Sequence, residues 1–282
     1  MTNLLKALLN LQTYADNDLN KITKLSRGIY GGIRINKVGD PLELFVKDMF
    51  CNSFRLSPQQ KATAYASIFS HQGSQNNPPD AMILNGDALE IKKVEGFNGS
   101  TIALNSSFPR VKIFSTDPMI SDECRNCENW TEKEVIYSVG HQEQNKVKAL
   151  IFVFGNCFAA DAQIYENIKS KIIEGVSKLG LSLSKTKEVG RLNKIDPLQI
   201  TDMRIRGMFQ IKSPIKYFSN FVKIETNKKL SVFAIMRKSK FDSFSKAEQK
   251  LVLSKMNVSN IKLKEPNNPS KNFEAVLISY NF

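Results

Sequence analysis

Apolar positions along this chain follow two rhythms, one of about 3.6 residues and one of two, which separate helices from strands. Residues 2–14 carry an apolar stripe and predict a short amphipathic helix. Residues 15–39 are polar, contain Gly28, Gly31, Gly32 and Gly39, and predict a loop. A stronger helix follows, with Asp40 suited to its cap, Pro41 to its first turn and Glu43 three residues after the cap. Leu42, Phe45, Val46, Met49 and Phe50 recur at helical spacing and predict its buried face. Residues 57–70 carry a weaker helical pattern, and 71–79 (His-Gln-Gly-Ser-Gln-Asn-Asn-Pro-Pro) a loop.

A hairpin comes next: residues 81–84, the turn Asn85-Gly86, then 87–94. Asn-Gly between two such runs signals a tight turn in which both residues take positive φ. Strands are predicted at 135–139 and 147–154, then a long helix at 161–179. Ile164, Ile168, Ile172 and Val176 share one face of that helix, and Gly180 ends it. Further strands are predicted at 203–211, 231–237 and 274–280, with a helix at 245–256 that opens on the capping box Ser245/Glu248. There is no internal repeat or low-complexity tract. The order predicts an α/β fold, a central mixed β-sheet flanked by helices. We expect one domain over 1–282, its core at about 40–180 and an embellishment over about 181–282.

Composition narrows the partners. The 282 residues are 41% hydrophobic and 9% aromatic, enough for a sizeable core. Forty Lys and Arg against 27 Asp and Glu give +13, which favours a polyanion: nucleic acid first, a membrane surface second. A solvated basic surface without a partner is the plain alternative. No apolar run approaches the ~20 residues of a membrane span, and residues 1–11 lack the marks of a signal peptide. Four scattered cysteines do not make a disulfide framework, and the natural setting is a reducing cytoplasm.

The hairpin carries the chemistry. Side chains alternate along a strand, so Leu89 and Ile91 point one way and Glu90 and Lys92 the other. Asp80 opens the preceding strand after Pro78 and Pro79, within reach of Glu90 across the hairpin. Two converging carboxylates repel unless a cation or proton intervenes. A hard divalent ion resolves the conflict, and magnesium takes one or two carboxylates, waters and phosphate oxygens. Such an ion polarises a phosphate and acidifies a bound water, while Lys92 holds or deprotonates that water and offsets charge on the phosphorane. The reaction class is in-line attack of water on phosphorus. Spacing alone is weakly diagnostic: Glu248-Gln249-Lys250 repeats it, but in a predicted helix where residues two apart diverge by about 200°. Glu43 is either half of a capping box or a further ligand offered by a helix beside the hairpin.

Pro79-Asp80 and Glu90-Ile91-Lys92, preceded by a helix bearing Glu43, resemble the PD-(D/E)XK nuclease superfamily. The runs Asn77–Met82, Gly86–Lys93, Ala103–Pro109, Cys124–Trp130 and Arg204–Met208 resemble, more narrowly, the NgoPII-like type II restriction endonucleases. The similarity spreads over roughly residues 40–210, and no block matches beyond about 212. The resemblance implies Asp80, Glu90 and Glu43 as magnesium ligands and Lys92 as the catalytic lysine. It also implies a homodimer that cuts double-stranded DNA at a short, GC-rich palindrome of the GGCC type. A DNA methyltransferase encoded nearby would protect the host.

Candidate DNA contacts cluster after the catalytic strand: Lys93, Asn105, Ser106, Ser107, Arg110 and Lys112. Arg204 and Arg206 alternate on one strand face and suit bidentate reading of guanine, or else salt bridges to Asp196 or Asp202. Gln72 begins an amide-rich loop leading to Asp80, which either touches DNA or simply connects. Cys124 and Cys127 have zinc-like spacing but no second ligand pair, which favours packed thiols near Trp130. Gly28-Ile29-Tyr30 matches only half of the GIY-YIG nuclease pattern, and His71 and His141 are too few for a histidine-metal nuclease. The rival readings are a repair or recombination nuclease with the same core, and a non-catalytic DNA-binding protein.

Overall fold

The computed structural model describes residues 2–18, 41–73, 77–96, 100–104, 108–143, 146–184, 189–195, 197, 199, 201–205, 207 and 209–282. Asp40, Gly28, Ile29 and Tyr30 lie outside the described residues. Helices α1 (Leu4–Asp18), α2 (Pro41–Cys51) and α3 (Pro58–Ile68) come first. Strands β1 (Phe69–His71), β2 (Ala81–Ile83), β3 (Ala88–Glu95), β4 (Thr101–Ala103) and β5 (Lys112–Phe114) follow. After α4 (Asp122–Arg125) come β6 (Glu132–Glu143), β7 (Lys146–Phe154) and α5 (Ala162–Lys178). The rest comprises β8 (Gly190–Leu192), β9 (Met203–Ile205), β10 (Gln210–Lys212), α6 (Pro214–Tyr217) and β11 (Ser231–Arg237). The chain closes with α7 (Lys238–Ser243), α8 (Lys246–Lys255), β12 (Asn257–Lys264) and β13 (Asn272–Asn281).

Nine strands form one mixed sheet in the order β1-β2-β3-β6-β7-β11-β13-β12, with β5 added to β6. The pairs β3–β6 and β7–β11 are parallel and the other pairs antiparallel. The architecture is therefore α/β, with helices against a large mixed sheet. Strands β11, β13 and β12 continue that sheet. Strands β6 and β7 are almost wholly buried, as sheet centres covered on both faces are. Helix α2 buries the five apolar residues of its stripe. Leu42 lies on Gly140 of β6 so closely that a β-carbon there would come 2.7 Å from it. Phe50 meets Phe152 of β7 edge-on at 6.5 Å. Burying Asp48 on the same helix is tolerable because its carboxylate accepts from Ser53 (2.5 Å), Tyr65 (2.7 Å) and Lys61.

Several elements depart from the sequence reading. Helix α1 runs on to Asp18, beyond the expected end at 14. Strand β1 takes Phe69–His71, where the helix was to end and the loop to begin. The span 203–211 is not one strand: β9 pairs β8 while β10 pairs β4. In the hairpin turn only Asn85 has positive φ (53°), and Gly86 donates its N–H to Ile83 at 2.9 Å, so the turn centres on Leu84-Asn85. Gly180 ends α5 with φ +74°, but the helix's apolar stripe is not buried. Ile164, Ile168 and Ile172 stay 43, 49 and 47% exposed, beside a groove of about 840 Å³ that Phe108, Tyr165 and Phe209 also line. No helix of the described residues is long and apolar enough to cross a membrane.

Candidate active site

Hairpin β2–β3 pairs Ala81 with Leu89 and Met82 with Ala88. The register extends one residue back, where the Asp80 N–H donates to the Leu89 carbonyl at 3.0 Å. Leu89 and Ile91 are buried on one face, leaving Glu90 and Lys92 on the other. Asp80 Oδ2 accepts from the Ile91 N–H at 2.5 Å and from Lys92 Nζ at 3.2 Å. Lys92 Nζ stands 2.7 Å from Glu90 Oε1. The structure thus brings Asp80, Glu90 and Lys92 into one cluster, with side chains 25, 15 and 22% exposed.

The electrostatics are those of a crowded acidic pair. Burial first, and then the charge of Asp80, push the Glu90 carboxyl above the usual glutamate range, against the opposing pull of Lys92. Burial alone would lower the Lys92 ammonium, but Glu90 and Asp80 outweigh it and hold it above the ordinary lysine value. Lys92 therefore stays a cation in this arrangement. Asp80 Oδ1 and Glu90 Oε2 accept no hydrogen bond from the described residues. Each acid thus keeps one hard oxygen without a described donor.

The parallel neighbour β6 supplies the wall. Tyr137 lies opposite Glu90 in the register, and its hydroxyl accepts from the Arg110 N–H at 2.6 Å. The Arg110 guanidinium is turned inward, ion-paired with Asp117 and 4.7 Å over the Phe108 ring. Its positive charge reaches Glu90 and favours the carboxylate. Neither Tyr137 nor Asp117 was flagged by the sequence. A tyrosine in the middle of an apolar strand reads as core, and only the parallel pairing places it beside Glu90.

Beyond Arg110, the described candidates make contacts of their own. Glu43 is ion-paired with Lys47, one turn along α2, at 2.6 Å. Among the described residues no group of three or more His, Cys, Asp and Glu side chains is placed to hold a metal ion. Lys93 pairs with Glu95 at 2.8 Å on the surface, Lys112 pairs with Glu132, and Gln72 is exposed. Asn105, Ser106, Ser107, Arg206 and Asp196 lie outside the described residues. Arg204 sits in β9 opposite Arg191, and Arg191 takes up Asp202 at 3.7 Å. Cys124 packs its sulfur 3.5 Å from that of Met82, and Cys127 donates to the Cys124 carbonyl at 3.0 Å.

The donor set suits a divalent cation. Two carboxylates with an open oxygen each match magnesium, which keeps most of its shell as water and phosphate oxygen. A softer ion would want the sulfur or imidazole ligands that this cluster lacks.

Comparison with known proteins identifies the family. The NgoPII restriction endonuclease family model matches residues 2–267. The type II restriction enzyme NgoPII of Neisseria gonorrhoeae is 39% identical over 283 aligned positions, covering 99% of each chain. No solved structure matches the chain. These matches define a type II restriction endonuclease, a site-specific deoxyribonuclease. The chain belongs to the NgoPII restriction endonuclease family. The likeness runs well beyond residue 212, so the C-terminal strands are part of what the family shares.

Proposed function

We propose that Asp80 and Glu90 are the ligands of a magnesium ion and that Lys92 is the catalytic lysine of a double-strand DNA cut. The observation that carries this is the meeting of two carboxylates, each with an open oxygen, with one ammonium on a single hairpin. The bound ion would polarise the scissile phosphate and acidify an attacking water. Asp80 is aimed by the Ile91 N–H, and Glu90 is kept poised by burial to welcome a cation. Lys92, held as a cation, orients the attacking water and stabilises negative charge growing on the phosphoryl oxygens. That favours charge stabilisation over proton abstraction as its role.

The protein would act as a homodimer on a short palindrome of the GGCC type, with a methyltransferase encoded nearby to protect the host. Glu43 would serve as an accessory carboxylate once displaced from Lys47, and Arg110 as a brace behind Glu90 in place of a base contact. Lys93, Lys112, Arg204, Arg206, Gln72 and residues 105–107 remain the proposed DNA contacts.

The test is digestion of a plasmid of known sequence with magnesium, followed by sequencing of the ends. Discrete fragments sharing one palindrome support the reading. Nicking that follows DNA structure would favour a repair nuclease, and retarded mobility without cleavage a binding protein. Sedimentation with and without DNA reads the dimer.

A further inference from the structure

Asp80 is held from three directions already described: its N–H by Leu89, its carboxylate by the Ile91 N–H, and Lys92. The fourth is the loop after β1. A β-carbon built on Gly73 would stand 2.8 Å from the carbonyl carbon of Asp80 and 2.9 Å from its Cα, and closer still to its carbonyl oxygen. All three are backbone atoms, so no rotamer change relieves the overlap. Ordinary carbon contacts settle near 3.5–4.0 Å, which sets the displacement an added methyl forces at about 1 Å. Gly73 is not among the glycines with positive φ. Glycine is needed here for close approach of two backbones, not for its torsion.

We propose that Gly73 is a positioning residue for the reaction. Its bare α-carbon lets the backbone at Gly73 lie against that of Asp80 and sets the position of that carboxylate relative to Glu90 and Lys92. This rests on the reading that Asp80 is a metal ligand. Gly73 touches neither metal nor DNA in this role; it acts through Asp80.

The full chain is tested as Gly73→Ala and Gly73→Ser, which add the same β-carbon, so that one folded variant suffices. Asp80→Asn and Gly175→Ala are measured alongside. Gly175 lies on α5 with nothing within 4 Å of an added β-carbon, so its variant isolates the generic effect of removing a glycine. Single-turnover cleavage is followed across a magnesium series, rates are expressed per folded molecule, and DNA affinity is read by gel shift without metal. A misplacement of about 1 Å costs roughly 100-fold in rate. We expect that loss in the Gly73 variants, together with a several-fold higher half-saturating magnesium concentration, wild-type DNA affinity and an unaffected Gly175→Ala. A Gly73 variant that melts earlier but cuts per folded molecule like wild type, at the same magnesium concentration, makes Gly73 a packing residue and overturns the proposal. Should Asp80→Asn still cut, the metal-ligand reading itself falls. If Asp80→Asn is inactive while the Gly73 variants are normal, only the present inference fails.

Discussion

Two clusters of nearly the same composition sit on one hairpin, and only one of them reads as an active site. At one end Asp80 and Glu90 share Lys92. Near the turn, Asp87 and Glu134 share Lys240, at 2.9 and 2.5 Å. Exposure does not separate them, since the second set is 12, 27 and 19% exposed. Burial raises the Asp87 carboxyl as it does Glu90. What separates them is closure. Lys240 arrives from α7, with the rings of Phe154 and Phe244 beside it at 4.9 and 5.8 Å. Described residues occupy three of the second cluster's four acid oxygens: both of Glu134, through Lys240 and Asn156, and Asp87 Oδ1, through Lys240. In the first cluster described residues occupy two of the four, one on each acid, and the lysine comes from the same strand as Glu90. Charges satisfied by a distant element clamp a fold. Charges left half-satisfied by their own strand can accept a ligand.

Lysine removal should break this comparison most sharply. Lys92→Ala takes away the cation proposed to face the phosphate and should lower the cleavage rate roughly 100- to 1,000-fold. DNA affinity in gel shift should hold. If binding and cutting fell together, Lys92 would be a backbone contact or a structural support. Lys240→Ala should do the reverse. It strands two half-buried acids, costs about 1.5–3 kcal/mol and lowers the melting temperature by several degrees. Its cleavage rate per folded molecule should match wild type; a drop there would put the turn cluster in the chemistry.

Removing an acid tests the same contrast at smaller amplitude. Because the folded-state Glu90 carboxyl titrates above its unfolded value, its contribution to stability is present at low pH and is lost as pH rises through the folded value. Above that value the ionised Glu90 works against the fold. In metal-free buffer Glu90→Gln should be the more stable protein by about 1 kcal/mol, and inactive. The gap in melting temperature should close as pH falls towards the range where Glu90 is protonated. A variant no more stable than wild type at pH 7 would mean that Lys92 already compensates the acid fully.

This contrast also separates what the sequence discloses from what it hides. The hairpin that carries the proposed site was legible because everything in it is local: Asp80 to Lys92 spans one turn, and strand alternation alone puts Glu90 and Lys92 on one face. Helix α2 was legible for the same reason, since its stripe needs only its own period. The clamp was not, because Lys240 lies 153 residues from Asp87 and reads as one more surface lysine. Tyr137 became a neighbour of Glu90 only through the parallel β3–β6 register. Glu43 differs again: helical spacing puts it beside Lys47, four residues on, an ion pair that its place near the cap did not suggest. Strand β12, an edge strand with exposed residues on both faces, carries too little alternation to be read. The α5 stripe has a helical period, but period says nothing about whether a face is covered.

The smallest effect expected is at the cysteines, and it checks whether the hairpin needs any metal for its fold. Cys124 lies under β2, fully buried against Met82, with its thiol pushed up to about 12 by burial. Cys127 gives its proton to the Cys124 carbonyl, a bond that a serine hydroxyl can remake. Cys127→Ser should thus change stability by under about 1 kcal/mol and leave cutting intact. Chelator should likewise stop cleavage without lowering the melting temperature, and no zinc should appear in the purified protein. A structural zinc would reverse all three results, because its ligands hold folding free energy that both the mutation and the chelator would release. The hairpin would then owe its shape to a metal behind it, and the half-satisfied acids in front would no longer be the natural place for a cation to bind.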